Sequence, residues 1–98
     1  MTPRAEAVHA RLTEALSPAH LEIVDDSMAH AGHAGAMQSG GGHFYALIVS
    51  ESFAGKSSVQ RHQMVYRALG DMLRNDIHAF SMKVYTPLEY QSQKEATR

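Results

Sequence analysis

The stretch "HFYALIVSESFAGKSSVQRHQMVYRAL", His43 to Leu69, decides the architecture. Its first eight residues, His43 to Ser50, are aromatic and branched, a composition that favours a strand. From Ser57 the pattern changes period. Ser57 and Gln60 have capping-box spacing, and Val65, Tyr66, Leu69, Met72 and Leu73 form an apolar stripe through "QRHQMVYRALGDMLRN", so the spacing predicts a helix that ends near Asn75 and Asp76. Beyond it, "AFSMKVY" (Ala79 to Tyr85) alternates Phe80, Met82 and Val84 against small or polar neighbours and reads as another strand. Strand, helix, strand is a crossover, and if the two strands are parallel in one sheet, the later one begins at the edge where the earlier one began.

Upstream, "TPRAEAVHARLTEAL" opens with Thr2 as N-cap and Pro3 at the first helical position, and Val8, Leu12, Ala15 and Leu16 recur at helical spacing until Ser17 and Pro18 end the run. "LEIVD" (Leu21 to Asp25) is a short strand, with Asp25 and Asp26 as its exit, and the glycine-rich segment up to His43 closes a hairpin. Downstream, "TPLEY" begins a last short helix with Thr86 as cap, Pro87 next and Glu89 closing the box. The order is αββαβα without repeats. It predicts one α+β domain over 1–98, in which a three-stranded mixed sheet is packed on one face by helices starting near Pro3 and Ser57. The core is expected over about 3–90, with a flexible loop at 31–42 and a frayed tail at 91–98.

Composition limits what such a domain does. The chain has 98 residues, 44% of them hydrophobic and 19% charged, enough for one compact core. It has no cysteine, which excludes a disulfide framework and a thiolate zinc site built by this chain alone and suits a reducing, cytoplasmic setting. No apolar run is long enough to span a membrane, and the start lacks the apolar core of a secretory signal. The net charge of −1 hides an asymmetry. Residues 1–54 carry two basic and six acidic side chains, against five basic and two acidic in 55–85. The basic half could touch phosphate, although nucleic-acid binders usually carry a stronger positive footprint. No phosphate loop, nucleophile elbow or histidine–nucleophile pair is present, so nothing points to an enzyme.

Histidine is the distinctive donor. "HAGHAGAMQSGGGH", His30 to His43, holds three of the seven histidines and five glycines. In the expected topology His30, His43 and His78 share one sheet edge, while His33 sits further out on the loop. Imidazole is a common transition-metal ligand near neutral pH, and glycines let a loop adjust its reach. Two histidines do not saturate a tetrahedral zinc, which argues against an independent metalloenzyme. His62 precedes Val65, Tyr66 and Leu69 by a turn and falls near the buried stripe, a place for helix packing or for contact with a partner or nucleic acid.

"FAGKSSVQRHQMVYRAL", Phe53 to Leu69, resembles the BolA family, whose members carry Phe-x-Gly, a short spacer and Arg-His followed by an apolar-Tyr pair. "LEIVDDSMAH", "HFYALIVSESF" and "IHAFSMKVYTPLEY" are similar to the family's first strand and loop entry, its second strand, and its histidine-led third strand with the closing helix. The resemblance covers roughly Pro3 to Tyr90 and implies a fold similar to type II KH domains. It also implies a partner, a monothiol glutaredoxin, with which a [2Fe-2S] cluster is held for iron sensing or cluster trafficking. The glutaredoxin cysteine and a glutathione thiol would serve one iron. His78 and a loop histidine would serve the other, the matching loop position being His30 in "DSMAH", which places the chain with the histidine-loop subgroup. The isolated chain is then expected to be monomeric and to hold no cofactor. Histidine on one iron of a [2Fe-2S] centre raises its potential relative to all-thiolate ligation. The segment between His30 and His43 is longer and richer in glycine than the family's compact loop, which makes His33 a rival ligand. Some family members are transcriptional regulators acting through a helix-turn-helix-like region, here Lys56, Arg61, His62 and Arg67. No Gly-x-x-Gly clamp lies in the loop where KH domains hold RNA.

Overall fold

The computed structural model describes residues 3–25, 43–75, 77 and 79–96. Helix α1 (Pro3–Leu16) leads to β1 (His20–Asp25) and then β2 (His43–Val49). A single 3-10 turn (Glu51–Phe53) precedes α2 (Ser58–Leu69) and the short α3 (Met72–Asn75), and β3 (Ala79–Tyr85) and α4 (Pro87–Ala96) complete the chain. The sheet order is β1-β2-β3, with β1 antiparallel and β3 parallel to β2. The expected mixed sheet and crossover are therefore present.

Local chemistry accounts for the boundaries. Ser17 at φ 44° closes α1, its amide donating to the Thr13 carbonyl at 3.0 Å. Ser57 caps α2 reciprocally: its hydroxyl accepts from the Gln60 amide at 3.2 Å, and its own amide donates to Gln60 Oε1 at 2.8 Å. Thr86 and Glu89 repeat the arrangement at α4, where the two bonds measure 3.0 and 3.2 Å. Such caps satisfy amides that have no partner within the helix.

The stripe expected to run unbroken to Asn75 is divided at Gly70, whose φ of 54° ends α2 while its amide donates to the Tyr66 carbonyl at 2.9 Å. A side chain at this position would face both an unfavourable φ and Arg11 Nη1, 3.3 Å from where a Cβ would sit. Arg11 itself donates to the Leu69 carbonyl at 2.8 Å, closing the end of α2 from the neighbouring helix. Tyr66, expected in the buried stripe, is 41% exposed. At 3.6 residues per turn it stands about 100° round the helix from Val65, and the inward arc is filled by Val65 and Leu69. Beyond Tyr90, where a frayed tail was expected, α4 continues to Ala96.

The core lies between α1, α2 and one face of the sheet. Val8, Leu12 and Leu16 meet Phe44, Ala46 and Ile48, with Val65, Leu69, Met72 and Phe53 closing it. Leu21, Ile23, Phe80, Met82 and Val84 pack against it from the outer strands. The alternate residues form the opposite face, in three full rows that follow the register, Val24–Tyr45–Ser81, Glu22–Leu47–Lys83 and His20–Val49–Tyr85, with the His43–Ala79 pair beyond the first. Tyr90 of α4 stacks on His20, with centroids 5.4 Å apart, and lies 6.0 Å from Tyr85, so α4 occupies only the last row of this face.

Candidate functional site

Register determines which chain segments meet. Asp25 pairs with Phe44 and His43 with Ala79, so the end of β1 and the starts of β2 and β3 lie along one edge of the sheet. The topological half of the histidine expectation is thus present. His30, His33 and His78, the expected ligands, fall outside the described residues. His43 alternates with the buried Phe44 and belongs to the open face, half-buried beside Tyr45. Together with Val24, Phe44, Ala79 and Ser81 these two line a shallow cavity of about 380 Å³ at the edge. Among the described residues no three histidine, aspartate or glutamate side chains gather as a metal would require.

With no cysteine, the chain offers imidazole, and the thiolates of a bridged [2Fe-2S] group would have to come from a partner.

The four residues of the basic set divide into two kinds. Lys56 and Arg67 are exposed, whereas the Arg61 side chain is only 13% exposed and turned inward. Its Nε donates to the Lys56 carbonyl at 3.0 Å and its Nη1 to the Val84 carbonyl at 3.4 Å. Nη1 and Nη2 form a bidentate pair with Glu89, at 2.6 and 3.0 Å, and the guanidinium carbon lies 5.9 Å from the Phe53 ring centroid. This planar fork suits a carboxylate. Arg61 therefore ties together the turn before α2, the end of β3 and the start of α4. The Arg61 hydrogen bonds, followed by the Thr86 amide, hold the Glu89 carboxyl down to about 2, and Glu89 in turn raises the Arg61 pKa. His62 Nδ1 lies 2.8 Å from the Ser58 carbonyl. A carbonyl only accepts, so Nδ1 carries a proton and donates.

Two structural groups at this end have only weak signals in the sequence. Ser50, fully buried, donates from Oγ to the Leu16 carbonyl at 2.6 Å and accepts from the Ser52 amide at 3.1 Å. Its own amide donates to the Tyr85 carbonyl at 2.9 Å, carrying the β2–β3 contact past the last paired residues. Phe53, also fully buried, is the first residue of the Phe-x-Gly motif, and Gly55 at φ 73° makes the turn that follows it.

Comparison with known proteins agrees with this architecture. Residues 12–89 match the family described as BolA-like protein. BolA-like protein 1 of Mus musculus is 38% identical over 88 residues, covering 90% of this chain and 61% of that protein. The chain thus spans about three-fifths of that relative, and 24% of the SufE-like protein 1 of Arabidopsis thaliana, to which it is 41% identical over 90 residues. The protein named DNA-binding transcriptional regulator BolA, from Escherichia coli, is 34% identical, with 88% of this chain and 78% of the relative covered. Among solved structures, BolA1 from Mus musculus superposes with a TM-score of 0.78 at 35% identity, covering 96% of this chain and 73% of that one. The BolA domain of SufE1 from Arabidopsis thaliana gives 0.77 at 39% identity, covering 91% and 98%. A family match over most of the length, and neighbours that share the mixed sheet and its helices, lead to one conclusion: the chain belongs to the BolA-like family.

Proposed function

We propose that this chain is a non-enzymatic adaptor that binds a monothiol glutaredoxin and co-ligates a bridging [2Fe-2S] cluster, used for iron sensing or cluster trafficking. His78 and His30 are the proposed ligands on this side, with His33 as the rival loop donor. The observation that supports this reading most is the pairing of Asp25 with Phe44 and of His43 with Ala79. It brings to one sheet edge the three chain segments that lead into the histidine-bearing positions. The partner cysteine and a glutathione thiol would complete the cluster. The test is reconstitution of the chain with a monothiol glutaredoxin under cluster-forming conditions, followed by visible absorption, circular dichroism and mass measurement. A coloured heterodimer is expected. Its assembly should be lost in His78→Ala and weakened more by His30→Ala than by His33→Ala, because His30 follows β1 closely and needs less ordering. A cluster complex indifferent to His78→Ala combined with His30→Ala overturns the ligand assignment.

A second reading, DNA-binding regulation, rests on exposed Lys56 and Arg67 beside His62, and on the Escherichia coli and Vibrio cholerae relatives named DNA-binding transcriptional regulators. Arg61 contributes little to it, because its donors face Glu89 and two carbonyls. Duplex binding that weakens steeply with salt and with Lys56→Ala plus Arg67→Ala would favour this reading.

A further inference from the structure

Helix α4 is fastened very differently at its two ends. At its start, Glu89 is held by the Arg61 fork, and the Thr86–Glu89 box caps the first turn, with Thr86 itself buried. Beyond that turn no side chain from Gln91 to Glu95 is buried, Leu88 is 75% exposed, and the helix meets the sheet through half-buried Pro87 and Tyr90. Tyr90 lies between the His20 ring and the Tyr85 ring, with Lys94 Nζ 5.5 Å from its centroid. Beneath, a cavity of about 550 Å³ opens among Ala19, His20, Val49, Tyr90 and Lys94, so the seat is incompletely packed. What the helix covers is apolar. Val49 points to the open face and is only 1% exposed, yet it stands outside the main core.

We propose that α4 is a hinged strap: its first turn stays pinned by Arg61 while the part from Tyr90 onward detaches from the sheet and, too short to stay helical alone, unwinds as one unit, uncovering Val49 and the His20–Val49–Tyr85 row of the open face. The strap sets how much of that face the molecule presents. Closed, the face consists of the His43–Ala79 pair and the Val24–Tyr45–Ser81 and Glu22–Leu47–Lys83 rows; open, it gains a third full row that is largely apolar and aromatic. The physical reason is that opening breaks the two ring contacts of Tyr90 and few apolar contacts, while the two-point guanidinium pair and the capping box resist motion at the pivot. Segments with little buried apolar contact open at a free energy well below that of global unfolding.

Amide hydrogen exchange on the full chain tests this. In the parent protein the amides of residues 91–95 should exchange with one common opening constant, at least about tenfold larger than that of β2 and α2 and nearly independent of low denaturant. Tyr90→Ala should raise exchange of these amides by a further factor of about ten while leaving β2 and α2 unchanged, because it removes the seat and not the pivot. Glu89→Gln, at the pivot, should extend the faster exchange back to the Glu89 and Tyr90 amides. The His20 ring-proton shifts should move toward unstacked values in Tyr90→Ala. Exchange that climbs smoothly from 91 to 95 with no shared opening would mean ordinary end fraying and overturn the strap. Exchange of these amides only at the global rate would overturn it equally.

Discussion

The two ends of the β2–β3 pair are built on opposite principles. At the far end, Val49 and Tyr85 run into Ser50, Phe53, Arg61 and Glu89, where, among the described residues, no buried side-chain polar atom lacks a partner and Phe53 and Ser50 are fully buried. At the near end, His43 and Ala79 open onto a shallow cavity with Val24, Tyr45 and Ser81, and Val24 is 48% exposed. Seven paired residues separate the two ends, which at about 3.3 Å per residue is on the order of 20 Å. The difference teaches where rigidity and chemistry reside. The far end holds the strands in register, and the near end is left open where the end of β1 and the starts of β2 and β3 come together.

Four substitutions grade that contrast. The largest loss is expected from Phe53→Ala, which empties the centre of the far end and removes the ring under Arg61; denaturant unfolding should show about 3–5 kcal/mol. Ser50→Ala comes next. It removes a buried hydroxyl that serves the Leu16 carbonyl and the Ser52 amide, at a cost of about 1–3 kcal/mol, less the part that Ser52 Oγ, 3.3 Å from the same carbonyl, can replace. Glu89→Gln is smaller, because the carboxylate is 46% exposed and screened by solvent, and it carries a pH signature. The folded pKa of Glu89 lies below its unfolded value, so the pair stabilises above the ordinary carboxylate range and its contribution is lost as pH falls from about 4.5 toward about 2. Thermal melts of the parent should decline across that window, and those of Glu89→Gln should decline less. Smallest of all, Val24→Ala at the near end should change stability by no more than about 0.5 kcal/mol. A Val24→Ala loss as large as that of Ser50→Ala would break the comparison. So would a Phe53→Ala protein as stable as the parent.

Much of the fold is legible because its signals are local. Ser57 with Gln60 and Thr86 with Glu89 announce helix starts within four residues, and the alternation of Phe80, Met82 and Val84 reports which strand residues face the core. The site is less legible. Arg61 reads as one more cation in a basic stretch, and nothing near it in sequence shows that its partner is 28 residues away on another helix. Tyr66 has the right residue type for the stripe, but the angular width available to the core is set by how α1 and the sheet pack against α2.

By itself, the sequence determined the element order, the helix caps, the absence of thiol ligands and the family resemblance, since each rests on residue type and short spacing. Tertiary structure decided the rest. It turned Arg61 inward to Glu89, exposed Tyr66, divided the long helix at Gly70 beside Arg11, and laid α4 across the last row of the open face. These outcomes depend on which surfaces meet, and contact between distant segments is set by packing the whole chain into one volume, which no short window of residues contains.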